Sequence, residues 1–305
     1  MAEKRRRTVK SIQPVPVVEG AGVKLRRTFP TQTINYLDPF LLLDDFSSDN
    51  PEDFAPGFPW HPHRGIETVT YILSGRVDHQ DSLGNGGQIG AGDVQWMTAG
   101  GGIMHQEMPQ VSHPDLVGFQ LWVNLPARLK MTSPRYQDVP AGSIPEIIGD
   151  GGARIRIIAG ELDGVRGPVT QIAISPSYFD VDLPAGTSGS LPVTPEHTAL
   201  IYVFRGGGAI GRGSSTGQDE VRAPILLVLG DGNTIDFSAG PGGMRFLLIA
   251  GQPLREPIAR YGPFVMNTAE EIEQALADLR NGTFIRPQPA SDSPQWYGMA
   301  DRPTR

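Results

Sequence analysis

The sequence predicts an all-β protein made of two antiparallel β-barrels, with one short helix near its end. Three observations carry that expectation. Short runs rich in β-branched and aromatic residues recur at 68–73, 93–98, 119–125, 155–159, 199–204, 225–229 and 245–250. Clusters of Gly, Pro, Asn and Asp separate them, drawn from 38 glycines and 28 prolines, with almost no helical period between. The two halves also repeat one order of events. A strand ends in Leu73-Ser74-Gly75 and again in Phe204-Arg205-Gly206, a Gly-Asp pair follows, and FQLWVNL or FLLIAG closes each half.

Taken in chain order, Lys4-Arg5-Arg6-Arg7 is a short basic run, expected as a solvated, frayed terminus rather than a nuclear address or an anion-binding arm. Lys24, Arg26 and Arg27 are expected on an exposed strand edge. The turn-rich stretch QDVPAGSIPEIIGDG (137–151) joins the halves and predicts domains at 1–138 and 139–305. The helix is expected over about 268–281. Thr268 and Glu271 form a capping-box pattern, Ile272, Ala275, Leu276 and Leu279 make one apolar stripe, and Asn281-Gly282 supplies a stop.

Composition excludes several classes of protein. A net charge of −7 argues against a general nucleic-acid binder, which needs a basic face to displace counterions. No apolar run approaches the roughly 18 residues of a membrane span, and no signal-like apolar core is expected at the N-terminus. With no cysteine among 305 residues, disulfides are impossible and any metal must be held by nitrogen and oxygen. Residence inside the cell is the expectation, in the cytoplasm, with the nucleus as a eukaryotic alternative.

Chemistry concentrates in two short motifs. HPHRGIETVTY (61–71) places His61 and His63 at i and i+2, and MHQE (104–107) does the same with His105 and Glu107. On a strand, i and i+2 share a face, so a closed barrel can bring three imidazoles and one carboxylate together. That donor set suits a first-row divalent ion such as Fe(II), Mn(II), Ni(II), Cu(II) or Zn(II), and octahedral geometry leaves two positions open. Glu67 follows His63 by four residues, so an uninterrupted strand would place it on the same face. Spacing alone leaves Glu67 and Glu107 as alternative carboxylates. Gly100-Gly101-Gly102 permits a sharp turn ahead of His105. Trp96 and Met97 are candidates to line an apolar pocket above the metal, and Arg64 to orient Glu107 or steer an anionic substrate. His79, His113 and His197 are expected to be surface or hydrogen-bonded residues. The second half has one histidine and no H-x-E, so it is expected to hold no equivalent metal.

The stretches GFPWHPHRGIETVTYILSG and GNGGQIGAGDVQWMTAGGGIMHQEMP strongly resemble the pirin family of the cupin superfamily. The resemblance continues through LDPFLLLDDF, GFQLWVNL and GQPLREPIARYGPFVMNTAEEIEQAL, and covers nearly the whole chain. It implies two cupin (jelly-roll) barrels face to face, with a metal in the N-terminal one. It implies His61, His63, His105 and Glu107 as the four ligands, iron as the working ion, and Glu67 as a supporting residue beside them. It also implies cleavage of a small aromatic flavonol, as in quercetin 2,3-dioxygenases, with Glu107 as candidate general base. The alternative it implies is an iron-dependent redox sensor that binds a transcription factor or metabolic enzyme. A monomer is expected.

Overall fold

Every second side chain of a strand points to one face, so the alternating apolar runs can pair into sheets with a buried surface. The computed structural model describes residues 3–211 and 220–286. The seven predicted runs fall, to within a residue, on the strands Ile66–Ser74, Val94–Thr98, Val117–Asn124, Arg154–Ala159, Thr198–Ile210, Ile225–Leu229 and Thr234–Gly251. Their pairings with one another are antiparallel.

The chain divides into two units, and the division differs from the predicted one at both ends. One unit comprises 142–253 with the described residues up to Val15; the other comprises 16–141 with the described residues from Leu254. The internal boundary lies close to the predicted 138, but the terminal segments are exchanged. The reason is long-range pairing that local sequence patterns do not encode. Thr8–Ile12 adds as an edge strand to Ile225–Leu229. The basic run ahead of it is not frayed. Arg6 is 1% exposed, and its guanidinium donates to the carbonyls of Gly232, His197, Gly230 and Thr194 at 2.9–3.1 Å.

The unit containing 142–253 fills its interior with aliphatic side chains at alternate positions. Ile155 and Ile157, Val181 and Leu183, Ile201 and Val203, and Phe246 and Leu248 belong to one buried cluster. These positions form an apolar core.

The other unit has a seven-stranded sheet and a four-stranded sheet. The seven-stranded sheet carries Val94–Thr98, Ile66–Ser74, Val117–Asn124 and Phe40–Asp45 as consecutive neighbours. The four-stranded sheet runs Phe58–His63, Ile103–Pro109, Val77–Asp81, Gly86–Ile89. The helix Ala269–Arg280 belongs to this unit and contacts the hairpin strands Ala259–Tyr261 and Phe264–Met266. Both bonds of its capping box are present: Thr268 Oγ1 accepts from the Glu271 N–H, and the Glu271 carboxylate accepts from the Thr268 N–H. Ile272 and Ala275 are buried as expected, whereas Leu279 is 37% exposed. Asp278 is buried in the last turn, receiving a 2.7 Å bond from Arg64 Nη1. Gly282, at φ +71°, provides the left-handed stop. Among the described residues no helix is long and apolar enough to cross a membrane.

Candidate metal centre

The histidine motif is itself a strand, Phe58–His63, at the edge of the four-stranded sheet. An edge tolerates Pro59 and Pro62, since one side of the strand needs no ladder donors. The chain then turns at Arg64-Gly65 and enters the other sheet at Ile66. Gly65 has φ +81°, and a Cβ there would lie 1.9 Å from the Val265 carbonyl oxygen, so glycine is required. This turn breaks the uninterrupted strand that would have placed Glu67 beside His63.

The second turn works the same way. Gly100 has φ +50°, with the Thr132 carbonyl where a Cβ would be. It precedes Ile103–Pro109, which pairs antiparallel with the histidine strand and sets Ile103 opposite His63 and His105 opposite His61. The register slips between His105 and Glu107, leaving Glu107 opposite Phe58. Ring centroids are 4.4 Å apart for His61 and His105, 4.9 Å for His61 and His63, and 5.0 Å for His63 and His105. One nitrogen from each ring lies within 4.8 Å of the others, the only such grouping of potential metal donors among the described residues.

Burial decides the charge of this cluster. It pushes the pKa of His63 and of His105 well below the ordinary imidazole value, helped by repulsion from neighbouring imidazoles, so both rings are neutral with lone pairs to give. His61 Nδ1 lies 2.8 Å from the Pro59 carbonyl, which can only accept, so Nδ1 carries the proton and Nε2 the lone pair. His105 is 1% exposed, and neither of its ring nitrogens has a hydrogen-bond partner. An orphaned buried polar group costs about 1–3 kcal/mol. A cation shared by the three lone pairs would offset that cost, so the donor set fits a divalent metal ion.

Glu107 stands just outside the tight histidine group. It is 8% exposed, and its Oε1 lies 3.1 Å from Thr70 Oγ1 on the opposite sheet. Burial raises its pKa, while His61 and the Thr70 hydroxyl pull the other way. Thr70 also lies 2.9 Å from Gln120 Oε1, its cross-strand neighbour.

His61, His63 and Glu107 line one cavity of about 550 Å³, within the size range of small-molecule sites. Its apolar walls are Leu25, Leu42, Phe46, Phe58, Trp60 and Trp122. Trp96 and Met97 do not line it: both are buried, Met97 packing with Leu41, Ile66 and Ile103 in a separate core cluster. Arg64 does not reach it either, being tied to Asp278 with its guanidinium 4.5 Å from the Phe284 ring centre. Arg27, expected on an exposed edge, instead lines the cavity in a bidentate pair with Asp44 at 2.8 and 2.6 Å. His79 is 5% exposed and stacked on Tyr136, not a surface residue. Gln120 and Trp122, which sequence reasoning did not single out, share the cavity face at i and i+2 within FQLWVNL, and that spacing was a usable signal.

Glu67 faces another environment. It is 1% exposed and accepts a 2.8 Å bond from Thr98 Oγ1, and burial pushes its pKa up to about 7. Between an unfolded carboxylate pKa of about 4.3 and about 7, the native state therefore binds the extra proton, and stability falls as pH rises through that window. Glu67→Gln keeps an acceptor for Thr98 and cannot ionise. Its thermal midpoint relative to wild type should rise between pH 5 and pH 8, by the equivalent of roughly 3 kcal/mol at most. Its metal content should match wild type. A pH-independent offset, or loss of metal, would contradict this placement.

A unit of two β-sheets that pairs the H-x-H and H-x-E strands, in a chain with a second all-β unit, defines a bicupin. Family models agree: one described as Pirin matches residues 22–123, and one described as Pirin C-terminal cupin domain matches 178–285. A pirin-like protein of Caulobacter vibrioides is 44% identical over 280 residues, covering 92% of this chain and 99% of its own. Human pirin is 42% identical over 266 residues, covering 86% of this chain and 88% of its own. The crystal structure of quercetin 2,3-dioxygenase from Acinetobacter baumannii superposes with a TM-score of 0.83 at 36% identity, covering 92% of this chain and 99% of the other. This chain belongs to the pirin family.

Proposed function

We propose that the chain binds one divalent metal ion, Fe(II) as the working species, through His61, His63, His105 and Glu107. We further propose that it cleaves flavonols in the manner of a quercetin 2,3-dioxygenase. The observation that carries the reading is the histidine triplet: three nitrogens within 4.8 Å, one ring buried with both nitrogens orphaned. The likeness to the Acinetobacter baumannii quercetin 2,3-dioxygenase supports the reaction class. When bound, the ion would supply Lewis-acid polarisation and a template for an enolate oxygen and dioxygen.

The chain's own residues would do the rest. A divalent ion held by imidazole nitrogens would leave the site cationic, which would favour an ionised flavonol 3-hydroxyl. Of the carboxylates that line the cavity, Asp44 and Glu19 are tied to Arg27, which leaves Glu107 to take that proton. Its raised pKa in the metal-free protein gives it basicity, and the Thr70 hydroxyl holds Oε1. A bound divalent ion would lower that basicity, so Glu107 would act as proton acceptor when its carboxylate is held by Thr70 rather than by the ion. Trp122, Phe46 and Phe58 form apolar walls that exclude water from a planar ligand.

The test is turnover after anaerobic loading with Fe(II) and admission of oxygen. Loss of flavonol absorbance with oxygen uptake and carbon monoxide release is expected. A loaded protein that does none of these with quercetin would remove the dioxygenase reading and leave the iron-dependent sensor.

A further inference from the structure

The histidine cavity is lined by two arginines, and they are held in different ways. Arg27 is neutralised by Asp44 and also donates to Glu19 at 2.7 Å. Arg260 makes no ion pair within 4 Å among the described residues, although Asp44 and Glu19, which hold Arg27, also attract it at longer range. Its Nε donates to the Gly262 carbonyl at 3.2 Å and its Nη1 to the Leu41 carbonyl at 3.3 Å. Its guanidinium lies over Trp122, with Cζ 5.2 Å from the ring centre. Carbonyl oxygens and a ring face orient a guanidinium without cancelling its charge. Trp122 also meets the His63 ring edge-on at 5.0 Å, so one indole separates the histidine cluster from this cation. Arg260 and Gly262 line a second cavity as well, about 370 Å³, beside Tyr36 and Ile258.

We infer that Arg260 is a specificity-determining residue, selecting planar aromatic ligands that carry a carboxylate or ionised phenol on the end remote from the histidines. With Nε and Nη1 held by carbonyls, Arg260 keeps the Nη2 side of its edge for anionic oxygen, and such in-plane donors favour arginine over lysine for these groups. Arg27, already bidentate, has no equivalent edge to offer. The inference deepens the ligand class of the proposed site. It rests on that cavity being the ligand site, not on iron or on flavonol cleavage.

The test compares 2-naphthoate with its neutral counterpart 2-naphthylmethanol, by titration of the metal-loaded, full-length protein. Wild type is expected to prefer the carboxylate by about tenfold at low salt, about 1.4 kcal/mol, with the preference shrinking at 0.5 M salt. In Arg260→Gln the ratio should fall below about twofold, and Arg260→Lys should keep an intermediate preference. Unchanged metal content shows that each variant is folded, and the salt dependence in wild type needs no variant at all. The inference is overturned if wild type binds neither ligand, shows no preference, or if Arg260→Gln keeps it. Flavonol turnover measured on the same samples separates the two ideas. Lost discrimination in Arg260→Gln supports the role of Arg260 even where quercetin is not cleaved.

Discussion

His105→Ala is expected to abolish stoichiometric metal binding while leaving the protein folded. Loss of a supporting partner beside a metal ligand typically weakens affinity about 10–100-fold, and loss of a ligand itself should exceed that. Folding should survive because His105 contributes little to the metal-free fold. Both of its nitrogens are buried without partners, and burial holds it neutral against its ordinary pKa. Removing the ring relieves an unsatisfied-polar cost of about 1–3 kcal/mol and leaves a void that costs a similar amount. The metal-free thermal midpoints of variant and wild type should therefore lie close together, whereas added Fe(II) should raise only that of wild type. His63→Ala should behave likewise. Elemental analysis after anaerobic loading and dialysis checks the point; one metal per chain in either variant would show that the ligand assignment is wrong.

Glu107→Gln should retain the fold and bind iron more weakly, and at matched iron content it should lose flavonol turnover by about 10²–10⁴, the usual contribution of a positioned general base. Glutamine preserves shape and can still accept from Thr70, 3.1 Å from the native Oε1. It cannot take a proton. Nor does it carry the desolvated charge whose burial raises the Glu107 pKa, so the metal-free variant should be no less stable than wild type. Single-turnover spectra on samples matched for iron content separate chemistry from loading. Turnover within a few-fold of wild type would assign the proton to another acceptor.

The site was legible in the sequence where strand periodicity governed it. His61 with His63, and His105 with Glu107, each obey the i, i+2 rule, and antiparallel register sets His105 opposite His61. It was illegible where a turn interrupts that rule. Glu67 has suitable spacing only if the strand continues through Gly65, and Gly65 instead carries the chain into another sheet. Trp96 and Met97 were drawn toward the site by proximity in sequence, but they sit on a strand whose side chains enter the core. Arg64 and Arg6 show the same limit for charge. Each resembles a surface cation until a segment more than 200 residues away supplies its acceptors, Asp278 for one and the Gly232 carbonyl for the other. The exchange of terminal segments between the two units has that origin too.

The most direct measurement is X-ray absorption at the iron edge of the anaerobically loaded wild-type protein, with iron quantified in the same sample. One iron per chain is expected, in a shell of nitrogen and oxygen with outer-shell scattering from three imidazole rings. Iron well below one per chain, or a shell of oxygen without imidazole scattering, would contradict a metal centre built on His61, His63 and His105.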